Sequence, residues 1–121
     1  MVLVDTSIWI LFFQTGNPRL QELLDEGHVL SHPFIIGELA CGNLTNRGEI
    51  LALLKALPAA IEARHEETLH LIEFYRLMGQ GLGYIDIHLL AASLLTSVSL
   101  WTSDKSLKDA AARLRIDFKN E

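Results

Sequence analysis

The sequence predicts an α/β fold, a three-layer α/β/α sandwich around a central parallel sheet. Short apolar runs alternate along the chain with amphipathic helical stretches, the pattern of a sheet whose strands are joined by crossover helices. The first run, Val2-Leu3-Val4, has no polar alternation and reads as a strand buried on both faces. The 121 residues contain no repeat, linker or low-complexity segment, so one domain, 1–121, is expected.

The elements follow in order. After the strand at 2–4, Thr6 or Ser7 is placed to cap a short helix through Phe13, which Gly16 and Asn17 break. Asn17-Pro18 starts a second helix, with Asn as cap and Pro in the first turn. Leu20, Leu23 and Leu24 give it an apolar stripe, and Gly27 ends it. His28 to Ser31 reads as a second strand. Pro33 opens the helix PFIIGELACG, on which three- and four-residue spacing groups Phe34, Ile35, Glu38 and Cys41 on one face. Glu38 is therefore expected to point with apolar neighbours.

Asn46 to Leu57 is an amphipathic helix stopped by Pro58, and Pro58 to Ala63 reads as a third strand. His65 to Met78 forms a helix, with the charges of Glu62 to Glu67 as its solvated start. Gly79, Gly81 and Gly83 make a loop. They follow a helix instead of a strand, so they do not form a phosphate cradle. Ile85 to Thr96 is the most apolar helix, with Ala91, Ala92 and Ser93 allowing close packing. Val98 to Thr102 is a strand, Asp104 to Arg115 a helix, and Ile116 to Phe118 a last edge strand.

Half of the residues are apolar and the mean hydropathy is +0.26, which points to extra apolar surface and a homodimer or partner interface. The formal charge of -5 excludes a broad basic face, and with it direct DNA binding by this chain. It leaves nucleic acid open where a divalent cation bridges carboxylates to phosphate. A single cysteine, Cys41, rules out a disulfide framework. Asp5 and the lack of a preceding basic segment make the N-terminus a poor signal peptide. Ile87 to Ser103 has no Asp, Glu, Lys or Arg, but reads as a buried helix and a strand, not a membrane span. A cytoplasmic location is expected.

Four acids draw the chemistry together. Asp5 closes the first strand, and Asp104 follows the strand Leu100-Trp101-Thr102. Open α/β sheets place ligand sites beyond the carboxyl ends of their strands, so these two can meet there. Asp86 lies in the first turn of the most apolar helix, and Glu38 on the helix from Pro33. Converging carboxylates repel unless a cation holds them, and oxygen donors with water suit Mg²⁺ or Mn²⁺. Each acid also has a plainer role. Asp5, Asp86 and Asp104 can be helix caps, and Glu38 can pair with Arg47 on the surface. His28 and His32 are spaced like ligands on a helix, but the segment reads as a strand and no third ligand is evident. His88, Trp9 and Trp101 read as packing.

Val4-Asp5-Thr6-Ser7, Glu38 on a mid-chain helix, Gly83-Tyr84-Ile85-Asp86-Ile87-His88 and Leu100-Trp101-Thr102-Ser103-Asp104 occur in the order of the PIN domain. Across nearly its whole length the chain resembles the VapC-type toxins of prokaryotic toxin–antitoxin pairs. The resemblance implies a Mg²⁺-dependent endoribonuclease with strand order 3-2-1-4-5 and an RNA substrate. It also implies a cognate antitoxin, expected to combine an apolar helix with a basic residue near the acids. Asp5, Glu38, Asp86 and Asp104 match the family's acidic positions, and Thr102 its hydroxyl residue two before the last Asp. Asp5, Asp86 and Asp104 would bind metal, while Glu38 would bind it or orient water. Thr102 and Ser7 would position a carboxylate or water. Where some relatives carry a further acid or Asn, this chain has Lys105 and Ser106.

Two rivals fit less well. An Asp-dependent phosphatase would need a second Asp where Ser7 stands, and a phosphoacceptor receiver would need paired acids beside Asp5. A catalytically inactive PIN-like binding module would be expected to lack one of the four acids, and all are present.

Overall fold

The computed structural model of the chain describes residues 1–119; residues 120–121 of the expected domain lie outside the described residues. Three strands form a parallel sheet in the order β2-β1-β3. β1 (Val2–Val4) is central, flanked by β2 (Val29–Leu30) and β3 (Ser99–Trp101). Val2 pairs with Val29 and Ser99, Leu3 with Leu30 and Leu100, and Val4 with Trp101. All three β1 side chains are buried, as expected of a strand covered on both faces.

The sequence expectation of five strands in the order 3-2-1-4-5 needs correction. The segments at 58–63 and 116–118 sit where the outer strands were expected, beside β2 and β3. Each contributes one parallel bridge, Ser31 to Ala59 and Leu100 to Asp117, and no ladder. Pro58 has no N–H to donate, and its carbonyl instead receives Ser31 N at 2.9 Å. Phe118 N and Leu100 O close the other edge at 3.0 Å.

Among the described residues seven helices connect and flank these strands: α1 (Thr6–Thr15), α2 (Pro18–Asp25), α3 (Pro33–Cys41), α4 (Arg47–Ala56), α5 (His65–Tyr75), α6 (Tyr84–Thr96) and α7 (Lys105–Arg113). Asn17 caps α2 as expected, its side chain accepting Arg19 N at 3.0 Å and Leu20 N at 3.1 Å. α1 differs from expectation. Its N-cap is Asp5, and neither Thr6 nor Ser7 caps it.

The core joins β1 and β3 to Trp9, Leu20, Ile35, Leu54 and Leu107, all fully buried. α6 is the central helix, with every residue from Ile87 to Ser93 buried. It packs on α5 and β3, and α3 packs on α1 and α4. Trp9 stacks on Phe13 with ring centroids 5.7 Å apart. Among the described residues no helix is long and apolar enough to cross a membrane.

The loop into α6 is fastened to α7. Arg113 donates to Gln80 Oε1 at 2.7 Å and to Tyr75 O at 2.9 Å. Gly81 has φ +78°, and a Cβ there would stand 2.9 Å from Ser106 Oγ. Only glycine fits both the backbone angle and the approach. Arg113 thus ties the loop that leads to Asp86 to the end of α7, and Gly81 brings it close to Ser106 in the first turn of that helix.

Candidate active site

The parallel pairing of β1 and β3 sets the centre of the site. Asp5 N donates to Trp101 O at 2.9 Å, so Asp5 leaves the sheet beside Thr102. The Asp5 side chain is buried and makes no cap bond to α1. Its Oδ2 accepts Thr102 Oγ1 at 2.7 Å and Ser7 Oγ at 3.0 Å. Ser7 Oγ in turn accepts Ser103 N, and Thr102 Oγ1 accepts Asp104 N, each at 3.1 Å. Two hydroxyls thus hold one oxygen of Asp5 and join it to the backbone that enters α7. No bond among the described residues reaches the other oxygen, Oδ1.

Asp104 is exposed and caps α7, its Oδ2 accepting Leu107 N at 2.9 Å. Asp86 is half-buried, and its Oδ2 accepts Gly83 N at 2.9 Å at the start of α6. The cap roles open to these two acids in the sequence are therefore real. They occupy one oxygen of each and leave the second. Burial raises the Asp86 carboxyl above its ordinary 3.8; the Gly83 bond opposes this, and the charges of Asp5 and Asp104 add to it. Asp86 thus lies within the electrostatic reach of both other aspartates.

Glu38 stands differently from expectation. The buried face of α3 carries Ile35 and Leu39, while Glu38 and Cys41 are exposed. Only Oε1 of Glu38 is held, by Thr6 Oγ1 at 2.8 Å. Thr6 follows Asp5 directly, so this bond ties α3 to the turn that presents Asp5. Sequence reasoning missed this role for Thr6, whose hydroxyl looked like a helix cap. Arg47 does not pair with Glu38; it donates to Gly42 O at 3.2 Å and to Ala40 O, closing the end of α3.

Among the described residues no three His, Cys, Asp or Glu side chains stand close enough to enclose an ion by themselves. The donor set is all oxygen, and the mutual repulsion felt at Asp86 is what a cation would relieve. Three of the histidines have structural partners. His32 is fully buried and caps α3, its Nδ1 accepting Phe34 N at 3.0 Å. Exposed His28 lies 3.5 Å from Glu26. His88 packs edge-on to Phe34 and Tyr84, each with ring centroids 4.7 Å away.

The PIN domain family matches residues 2–113. Ribonuclease VapC32 of Mycobacterium tuberculosis, from strains CDC 1551 and H37Rv, is 40% identical over 122 residues, covering 100% of this chain and 98% of that protein. The crystal structure of PAE2754 from Pyrobaculum aerophilum matches with a TM-score of 0.60 at 15% identity, over 94% of this chain and 88% of that one. That last likeness is one of fold.

Proposed function

The chain belongs to the PIN domain family, and from that premise we propose that it is a divalent-metal-dependent endoribonuclease, the toxin of a VapBC-type toxin–antitoxin pair. The observation that supports the reading is the hydrogen-bonded chain from Asp5 through Thr102 to Asp104 at the carboxyl edge of the sheet, with Asp86 in electrostatic reach of both aspartates and one oxygen of each carboxylate outside its structural bond. Asp5, Asp86 and Asp104 would hold Mg²⁺, or Mn²⁺, and Glu38 would bind it or orient water. When bound, such a cation neutralises the carboxylates, contacts phosphate and lowers the pKa of water. Thr102 and Ser7 keep Asp5 in one orientation, and Thr6 keeps Glu38 at the rim.

The partner reading has its own support. A groove of about 690 Å³ beside Glu38 has Ile10, Phe12, Phe13 and Ile50 in its wall, with Glu49 at its edge. An antitoxin segment with an apolar face and an Arg near the acids would match it. The exposed Leu69, Phe74 and Leu95 on α5 and α6 support a homodimer.

The test is incubation of purified protein with total cellular RNA, with and without Mg²⁺, and mapping of the cut ends. Cuts at a limited set of sites are expected with Mg²⁺ and none in EDTA, and Asp5→Asn should abolish them. RNA left intact, or cut equally well in EDTA, would overturn the reading. Co-purification with the product of the adjacent reading frame tests the antitoxin.

A further inference from the structure

The chain is acidic, yet an RNA substrate has to be held by cations. Ten Lys and Arg residues are available. Arg19, Arg64 and Lys105 stand beside Glu22, Glu67 and Asp109. Arg47 and Arg113 are bound to backbone carbonyls. Of the other five, Lys55 is in the last turn of α4, and Arg76 caps the end of α5. Arg115 lies beside Met1 and Ser99, at the edge of the sheet opposite the acids. Lys108 and Lys119 remain, and they line one groove of about 560 Å³. Neither side chain makes a hydrogen bond or ion pair among the described residues.

This groove shares wall residues with the hydrogen bonds that hold Asp5. Thr102, which donates to Asp5, and Ser103, which donates to Ser7, lie in its wall. Half-buried Phe118 lies there as well, packed on Trp101 with ring centroids 4.6 Å apart and planes tilted by 31°. Two lysines along a groove and an aromatic ring inside it are the parts used to bind single strands, where cations track the backbone and a ring stacks a base. Asp117 is the one acid in the wall, so lysines outnumber acids there two to one.

We propose that the groove of Lys108, Lys119 and Phe118 holds the single-stranded RNA that flanks the scissile phosphate. The proposal rests on the ribonuclease reading of the acidic centre. Lys108 would contact a phosphate from α7, Lys119 one from the edge segment, and Phe118 would stack a base between them.

The test uses a labelled single-stranded RNA containing one mapped cut site, and the variants K108A/K119A and F118A. Cleavage gives KM and kcat. Fluorescence anisotropy with the Asp5→Asn protein background gives affinity without cleavage. Each phosphate contact to a single strand contributes about 0.7 to the slope of log affinity against log salt. The double lysine variant is expected to lower that slope by about 1.4. Its KM should rise about tenfold or more, with kcat and melting temperature held. F118A should raise KM without changing the slope. Unchanged KM and slope in K108A/K119A, with the wild type cutting normally, would overturn the groove and leave the ribonuclease standing. Loss of antitoxin binding with RNA affinity intact would also overturn it, assigning the groove to a protein. A wild type that cuts no RNA at all, yet binds a labelled single strand with the expected slope, would overturn the ribonuclease reading and leave the groove in place.

Discussion

Thr102 Oγ1 donates to Asp5 Oδ2 at 2.7 Å, across 97 positions of sequence, and the same oxygen accepts Asp104 N at 3.1 Å. Both partners are buried, so removing the hydroxyl strands a carboxylate and an amide together. Thr102→Val is expected to cost about 1.5–3 kcal/mol, the range for a hydrogen bond to a charged group. RNA cleavage should fall about tenfold or more. Thr102→Ser should recover most of both, as read by thermal melting and initial rates. Full stability and activity in Thr102→Val, with losses in Thr102→Ser, would show that the methyl, not the hydroxyl, matters.

Thr6 holds Glu38 by an exposed 2.8 Å bond. Its loss should barely move the melting temperature, because water replaces it. If Glu38 acts at the site, Thr6→Val should lower kcat about two- to tenfold, in line with about 0.5–1.5 kcal/mol for one such bond. Thr6→Ser should rescue it. Full activity in Thr6→Val would remove Glu38's orientation from the chemistry.

Asp86 titrates above its ordinary 3.8. A raised carboxyl favours the fold while protonated. That contribution is present below 3.8 and is lost as pH climbs through the raised value. Asp86→Asn keeps an acceptor for Gly83 N and carries no charge. In EDTA its melting temperature should equal or exceed that of wild type at pH 7, and the advantage should vanish near pH 4. Mg²⁺ should stabilise the wild type and affect the variant little. A variant that melts far below wild type at both pH values would make the carboxylate chiefly a cap.

His32 is held below its ordinary 6.5 by burial; the Glu62 charge opposes this, and His88 adds to it. A base kept neutral by the fold stabilises it above 6.5, and that stability is lost as pH falls through the lowered value. His32→Asn still offers Phe34 N a cap acceptor but does not titrate. It should be less stable at pH 7, where it leaves a cavity, and lose less on going to pH 5. Melting curves that stay parallel across that range would contradict this.

All seven helices were legible in the sequence, because Asn17-Pro18, Pro33, Pro58 and the glycines mark their ends and long apolar periods fill them. β1 and β3 were legible as apolar runs ending in acids. The outer segments were not, because one bridge and a full strand have the same short apolar signature at 116–118. The side on which Glu38 lies was misread, since four-residue spacing groups it with Ile35 as readily as with solvent, and only packing against the core decides. That Asp86 and Asp104 cap helices and yet keep an oxygen for another use was read as a choice between roles. Each carboxylate has two oxygens, and the structure uses one for the cap.

The distance in sequence between Asp5 and Thr102 also sets a time. During translation Asp5 is made 97 residues before the hydroxyl that orients it. Until β3 and the start of α7 have left the ribosome and paired with β1, the nascent chain lacks Asp104 and has no buried place for Asp5. The site proposed above therefore has no orienting hydroxyl for Asp5 until nearly all of the described chain has been made.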